Sequence, residues 1–303
     1  MQTRLTKLLK IKYPIIQGGM AAITDAVIAS AVSNAGGAGI IGSGGHDAKW
    51  VKEQIALARQ MTDKSFGVNI VLAAEDKDEI IEVVCQEKPT FVTFGAGNPI
   101  PYIERFKKLG IITIPVVANL KQAKKVEAAG ADALVAEGME AGGHIGRQTT
   151  MSLLTNVIPD IRIPVIAAGG IADQRGLKAA LAMGAEGVQI GSAFLISKEC
   201  PAHINVKRKI IDSTDMDSVV LGYTIRHDAR GIRNKFTDDY LALEYSDAPR
   251  EVLNGKMKGV YNKAFVEGDV DNGYIEVTQS LNALTEILTC EQIIQKLIKG
   301  MES

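Results

Sequence analysis

Between residues 14 and 192 the chain alternates short apolar runs with longer stretches of helical period, and this alternation constrains the fold more than any other feature. Eight runs recur, at 14–17, 39–42, 66–70, 91–94, 111–117, 133–136, 164–168 and 187–190. They are rich in Ile and Val and lack polar alternation, as expected of parallel strands covered on both faces by crossover helices. The spacing predicts helices over 24–34, 48–61, 99–109 and 122–129. Gly36, Gly110, Gly130 and Gly184 stand just before strands, where a left-handed residue is wanted to end a helix.

The segment Gly130-Ala131-Asp132-Ala133-Leu134 recurs as Gly184-Ala185-Glu186-Gly187-Val188, a whole number of strand-helix units later. Eight units with such internal similarity predict a closed (β/α)8 TIM barrel of the α/β class, with an open doubly wound sheet as the alternative. From Ser192 onward the rhythm stops. Residues 198–265 are rich in charge, with K-R-K at 207–209 and R-H-D-A-R-G-I-R-N-K at 226–235, and suggest a small, mostly helical insertion or lid whose charge clusters are solvated faces. The expected division is therefore a barrel over 1–195 and 268–303 and a lid or substrate domain over 196–267. Within the last part, helices are expected near 274–288 and at 291–299. Gly37-Ala38-Gly39-Ile40-Ile41-Gly42 fits G-x-G-x-x-G, but its glycines precede and occupy a strand instead of following one and opening a helix, which argues against a dinucleotide fingerprint.

Lys and Arg number 34 against 35 Asp and Glu, with no long basic run, so affinity for nucleic acid has little support. The basic start M-Q-T-R-L-T-K-L-L-K lacks a signal peptide's apolar core and cleavage site, and no apolar run reaches about 18 residues, so the expectation is a cytoplasmic protein without a membrane span. Cys85, Cys200 and Cys290 are far apart and lack companions at ligand spacing, which predicts buried free thiols and no metal site.

In such a barrel, reactive groups gather where strands end and βα-loops begin. Those points hold Gly18-Gly19-Met20, Gly42-Ser43-Gly44, Asn69, Gly95-Ala96-Gly97-Asn98, Asn119, Glu137 with Gly142-Gly143-His144, Ala168-Gly169-Gly170 and Gly191-Ser192. Bare backbone at so many mouths would let a flat, extended ligand lie across the barrel with amide N–H groups in reach. Gly169-Gly170 and Gly191-Ser192 occupy the loops after the seventh and eighth strands, where a phosphate is often held; tight turns are the plain alternative. His144 is a candidate proton carrier, or a histidine bonded to loop backbone. His46, His203 and His227 read as surface residues. Glu137 could accept from ligand N–H groups or cap a turn, and Met20 could fill a gap or form an apolar shelf under an aromatic ring.

The ordered set I-K-Y-P-I-I-Q-G-G-M (11–20), S-N-A-G-G-A-G-I-I-G (33–42), F-G-V-N (66–69), G-A-G-N-P (95–99), A-E-G-M-E-A-G-G-H-I-G (136–146), P-V-I-A-A-G-G-I-A-D (164–173) and G-A-E-G-V-Q-I-G-S (184–192) closely resembles the FMN-dependent enoyl-acyl-carrier-protein reductase II family. That family shares its fold and flavin site with the nitronate monooxygenases, formerly 2-nitropropane dioxygenases. The resemblance implies FMN across the barrel mouth, its phosphate on Gly169, Gly170, Gly191 and Ser192 with Gln189 nearby. The ring would be held by Gly19, Met20, Asn69 and Glu137, beside Gly142, Gly143 and His144. It further implies an enzyme that reduces trans-2-enoyl thioesters on acyl carrier protein with NADH or NADPH, His144 giving the proton; nitronate oxidation or quinone reduction on the same flavin is the alternative. Arg226, Arg230 and Arg233 would meet phosphates of the carrier or nucleotide, and a homodimer is compatible with the pattern. Three departures stand out: Ala21-Ala22 where relatives often have Trp, Asn119 where Ser is common, and Thr278-Gln279 for a glycine-glutamine pair in a C-terminal helix.

Overall fold

The computed structural model describes residues 1–301. Strands β1 (Ile15–Gln17), β2 (Gly39–Gly42), β3 (Phe66–Val71), β4 (Phe91–Gly95), β5 (Ile112–Val117) and β6 (Leu134–Glu137) are followed by a two-residue strand β7 (Gly143–His144), then β8 (Val165–Ala168) and β9 (Gly187–Ile190). All but β7 form one parallel sheet in the order β1-β9-β8-β6-β5-β4-β3-β2. A parallel bridge between Ile16 and Ala38 joins its two ends, so the sheet is a (β/α)8 barrel and not the open alternative. At that seam Gln17 N donates to Ala38 O at 2.9 Å, and Ile40 N donates to the Gln17 side-chain oxygen at 2.8 Å. A fully buried amide thus continues a ladder that the two short strands cannot complete with backbone alone.

The outer layer comprises α1 (Arg4–Leu9), α2 (Ala26–Asn34), α3 (Ala48–Met61), α4 (Lys77–Glu87), α5 (Ile100–Lys108), α6 (Leu120–Ala128), α7 (Thr150–Val157), α8 (Gln174–Ala182) and the single turn α9 (Ser192–Leu195). Asp25, Asp47, Asn119 and Asp173 accept from first-turn backbone N–H groups and start α2, α3, α6 and α8. Gly36, Gly110, Gly130 and Gly184 all take positive φ and end α2, α5, α6 and α8 as expected. Inside the barrel, Ile16, Ile40, Phe91, Ile114, Val135 and Ile166 pack together, and Leu5 and Leu9 of α1 complete the same cluster from the N-terminal end. The opposite mouth stays open for the functional loops.

The glycine run at 37–42 has a packing role. A Cβ on Gly39 would stand 1.9 Å from the Ala29 carbonyl oxygen, and one on Gly42 would stand 2.6 Å from that of Met20. These glycines let α2 and the loop after β1 press directly on β2.

Beyond the barrel come α10 (Ile204–Asp212), an antiparallel hairpin of β10 (Ser218–Leu221) and β11 (Ala229–Ile232), then α11 (Lys235–Tyr245), α12 (Arg250–Lys256), α13 (Val260–Phe265) and the final α14 (Cys290–Ile298). The segment is mostly helical, as expected, with the hairpin as an addition that the sequence reading did not place. The hairpin recruits β7 as a third strand, pairing Ala229 with His144 and Arg230 with Gly143. A correction concerns 274–288, which is no helix apart from a 3-10 turn at Leu281–Ala283. Residues Tyr274 to Thr278 run extended instead, with Gly231 bridged to Glu276 and Ile232 N donating to Ile275 O at 2.9 Å. Nor is K-R-K a wholly solvated face: Lys207 is buried, and its Nζ donates to the carbonyls of Ser197 and Cys200 at 2.6 Å each, just beyond α9. Cys85, Cys200 and Cys290 are buried free thiols. Among the described residues no helix is long and apolar enough to cross a membrane.

Gly39→Ala places a methyl group inside a helix backbone that has nowhere to retreat. It is expected to cost about 2–3 kcal/mol or more, read as a lower denaturation midpoint, because overpacking against backbone is relieved only by moving α2.

Candidate active site

Two groups of expected site residues meet at the open mouth. On the β1, β3 and β9 side, a Cβ on Gly19 would lie 2.4 Å from Asn69 Cβ, so the loop after β1 sits flush on β3. Asn69 is buried and donates to Thr93 Oγ1 at 2.9 Å, which fixes its amide. Gly18 faces Gln189 and Gly191, and a Cβ on Gly191 would meet only Met20 Sδ, at 3.8 Å. That leaves the Gly191 backbone open in front. The Ser43 hydroxyl, at the end of β2, is buried with no protein partner. Asn119, by contrast, spends its side chain on capping α6.

On the β6 to β8 side, Gly169 and Gly170 both take positive φ, 96° and 72°, a backbone that glycine adopts without strain, and Gly170 O accepts from Ser280 Oγ at 2.8 Å. Gly169 could carry no side chain, since a Cβ would fall 2.8 Å from Gly138 O and 2.9 Å from Thr150 Oγ1. Ser192 is buried, and its oxygen accepts from Thr278 N at 2.9 Å, so its hydroxyl proton remains for another acceptor. Gly142 fits because Val277 crosses it, with Val277 N only 2.6 Å from where a Cβ would be. Glu140 ties this side together. Its carboxylate accepts from Thr150 N and Oγ1, and its carbonyl accepts from Gln279 N and Thr278 Oγ1. Thr278-Gln279 therefore contacts the site loop through an extended segment, not through a helix.

Glu137 ends β6 with its carboxyl enclosed by protein and one side facing the mouth. Burial first, and the charge of Glu276 second, lift its pKa to about 7. Glu276 stands over Gly143, where a Cβ would come within 3.0 Å of its Oε2. Burial pushes Glu276 to about 7 as well, against the pull of the Tyr261 hydroxyl that donates to its Oε1 at 2.7 Å. Two like-charged carboxylates in one desolvated mouth resist losing both protons at neutral pH.

His144 opens onto the mouth, and its Nε2 lies 2.9 Å from Nε2 of His227 on the β10–β11 turn. Desolvation lowers the pKa of both rings; for His227 the neighbouring His144 and Arg250 lower it further while Asp228 raises it. His227 is exposed, as its context suggested, and its ring nonetheless meets that of His144. The expected arginine trio also divides. Arg230 is buried, with Nε donating to Met139 O at 2.9 Å and Nη1 to Ser218 Oγ at 2.6 Å, so it is spent within the protein. Arg233 pairs with Asp238, and Arg226 is exposed on the turn.

Glu276, Tyr261 and His227 escaped the sequence reading. A usable signal existed in Tyr274-Ile275-Glu276-Val277-Thr278, which mixes aromatic and β-branched residues as strands do.

Comparison with known proteins bears on this geometry. The sequence model described as nitronate monooxygenase matches residues 2–81 and 74–300. A probable nitronate monooxygenase of Staphylococcus aureus (strain JH9) is 33% identical over 310 residues, covering 87% of each chain. The structure of FabK from Thermotoga maritima superposes with a TM-score of 0.96 at 45% identity, over 99% of this chain and 96% of that one. A nitroalkane oxidase from Streptomyces ansochromogenes superposes with a TM-score of 0.86 at 27% identity, over 97% and 96% of the chains.

The carboxyl pair has a consequence for stability. Folded Glu137 and Glu276 keep protons up to about pH 7 that the unfolded chain, near the ordinary 4.5, has released, so their contribution to stability declines as pH rises between those values. Glu276→Gln keeps an acceptor for Tyr261 and removes one titration. It is expected to flatten the melting curve against pH from 5 to 8 and to raise the melting temperature at pH 8 by about 2 °C or more. Parallel pH dependence in variant and parent counts against the coupled pair.

Proposed function

The chain belongs to the nitronate monooxygenase family of flavin-dependent oxidoreductases, and from that membership we propose that it reduces the trans-2-enoyl thioester of an acyl carrier protein, with FMN as cofactor and NADH or NADPH as co-substrate. The observation that carries this reading is the likeness to FabK, at 45% identity over 99% of the chain, against 33% over 87% for the probable nitronate monooxygenase. An acyl-carrier substrate fits a cytoplasmic setting.

The mouth suits a flavin. Gly169 and Gly170 turn peptide groups into a concave surface, the Gly191 backbone is uncovered, and Ser192 retains a hydroxyl donor, which together make a cradle for a phosphate. Gly19, Met20, Asn69, Gln189 and Glu137 would flank the ring system, with Gly142, Gly143 and His144 beside it. When bound, the flavin supplies hydride chemistry, received from the nicotinamide and passed to the β-carbon of the enoyl group. The side chains do the rest. Ser192 and the glycine amides would hold the phosphate. Glu137 meets ring N–H groups as acceptor when ionised, or a ring oxygen as donor when protonated. His144 delivers the proton that the α-carbon needs once charge develops on the thioester carbonyl, and its depressed pKa makes it a willing donor.

The family's own name favours a second reading, oxidation of alkyl nitronates with His144 as base. Anaerobic rapid mixing separates the two. Bleaching of the flavin by NADH or NADPH, followed by reoxidation with a crotonyl thioester, is expected. Flavin that stays oxidised with nicotinamide yet is reduced by a nitronate overturns the enoyl reductase reading.

His144→Ala is expected to keep its flavin and lose about 10²-fold or more in turnover of enoyl substrate. Gly170→Asp, which adds a negative charge and, at positive φ and with its Cβ 3.1 Å from Glu140 Cβ, distorts the loop proposed to hold the phosphate, is expected to fold, by circular dichroism, yet be purified without flavin; full occupancy would move the phosphate elsewhere.

A further inference from the structure

The turn that carries His227 is built to hold that residue still. Glu244 of α11 is buried, and its carboxylate accepts from Gly222 N at 3.0 Å, Thr224 N at 2.8 Å and Thr224 Oγ1 at 3.0 Å. His227 N donates to Gly222 O at 2.9 Å, and Gly222 and Arg226 both adopt positive φ to make the turn. Asp228, next in the chain, is clasped by Arg147, whose guanidinium also lies over the Tyr223 ring. His144 hangs from the same small sheet through its pairing with Ala229, two residues after His227. The two exposed rings are therefore brought to 2.9 Å by backbone on both sides.

We propose that His227 is a positioning residue for the proton donor of this site: neutral His227 accepts a hydrogen bond from Nε2–H of His144, fixing its tautomer and supporting its imidazolium form. The inference rests on the enoyl reductase reading for its reaction, though not for its test.

Two nitrogens at hydrogen-bond distance can share only one proton between them, so one ring must donate and the other accept. With His227 accepting, imidazolium His144 keeps Nε2–H toward His227 and hands over the proton on its other nitrogen. A C–H bond forms at the substrate α-carbon, an N–H bond of His144 breaks, and its electron pair stays on the ring. His144 is left neutral in the tautomer that His227 already holds, ready to take a proton from solvent. This is the work that a buried carboxylate does for histidine in hydrolytic triads, performed by a neutral acceptor. The groups that face His227 favour its neutral form: His144 on β7 and Arg250 on α12 oppose a second positive charge, while Asp228, which favours one, is engaged by Arg147.

The test follows the titration of His144 by NMR in FMN-loaded protein, beside the pH profile of crotonyl-thioester reduction. Loss of a charge-assisted hydrogen bond is expected to lower the His144 midpoint in His227→Ala by about one unit. The profile should move in the same direction, so that turnover above the midpoint falls about tenfold. His227→Gln, whose amide oxygen can still accept, is expected to restore most of both. An unchanged His144 midpoint in His227→Ala overturns the proposal, whatever the turnover. A midpoint that moves as expected in a protein that reduces no enoyl thioester upholds the histidine pair and overturns the reaction instead. If His227→Ala loses flavin or fails to fold, the comparison of His227→Gln with His227→Phe, which fills the space without accepting, takes its place with the same two outcomes.

Discussion

One edge of β11 organises the site. Along four residues, Ala229 pairs with His144, Arg230 with Gly143 and Gly231 with Glu276, while Ile232 N bonds Ile275 O. Two segments more than 130 positions apart in sequence are laid end to end against a single strand, and the histidine and the second carboxylate of the mouth arrive together. The arrangement depends on Gly231, where a Cβ would strike the Tyr274 ring at 2.4 Å. It depends equally on Arg230, whose guanidinium fastens β11 to Met139 O in the loop after β6 and to Ser218 on β10. Buried hydrogen bonds of this kind contribute little net free energy each, but leaving any one unmade is costly, so the strand has one position.

Beneath that edge the barrel supplies rigidity and bare backbone. Its seam is closed partly by the Gln17 amide, and its N-terminal end is filled by Leu5 and Leu9, so apolar packing and the glycine-rich strand ends lie at opposite ends of the strands. The glycines divide in the same way. Gly39 and Gly42 exist so that α2 and the loop after β1 can touch β2, whereas Gly191 has open space in front of its backbone. Composition alone does not separate these uses; their place at the start or the end of a strand does.

The barrel was legible because its signals are local. Apolar runs, capping residues and helix-ending glycines each act within a few positions, and all eight barrel strands lie within about two residues of their expected limits. The strand-end list likewise placed Glu137, His144 and the glycine pairs at strand ends, where the structure has them. What stayed hidden depends on distant pairing. β10 and β11 are four-residue strands in a charge-rich segment, and nothing within them names β7 as a partner. Glu276 acts on Glu137 only because an extended segment doubles back across Gly142, and His227 meets His144 only because a turn pinned by Glu244 faces it. Charge misled for a related reason: Lys207 and Arg230 look solvated in sequence, yet each is buried against carbonyl oxygens that need donors.

Since His144 is itself a strand of the sheet that covers the mouth, cover and chemistry share one mechanical fate. A hinge that swung the β10–β11 hairpin outward would have to peel Ala229 from His144 or drag the histidine away with it. Either movement would undo the present placement of His144, relative to the hairpin or to the barrel, so that placement is tied to the seating of three short strands.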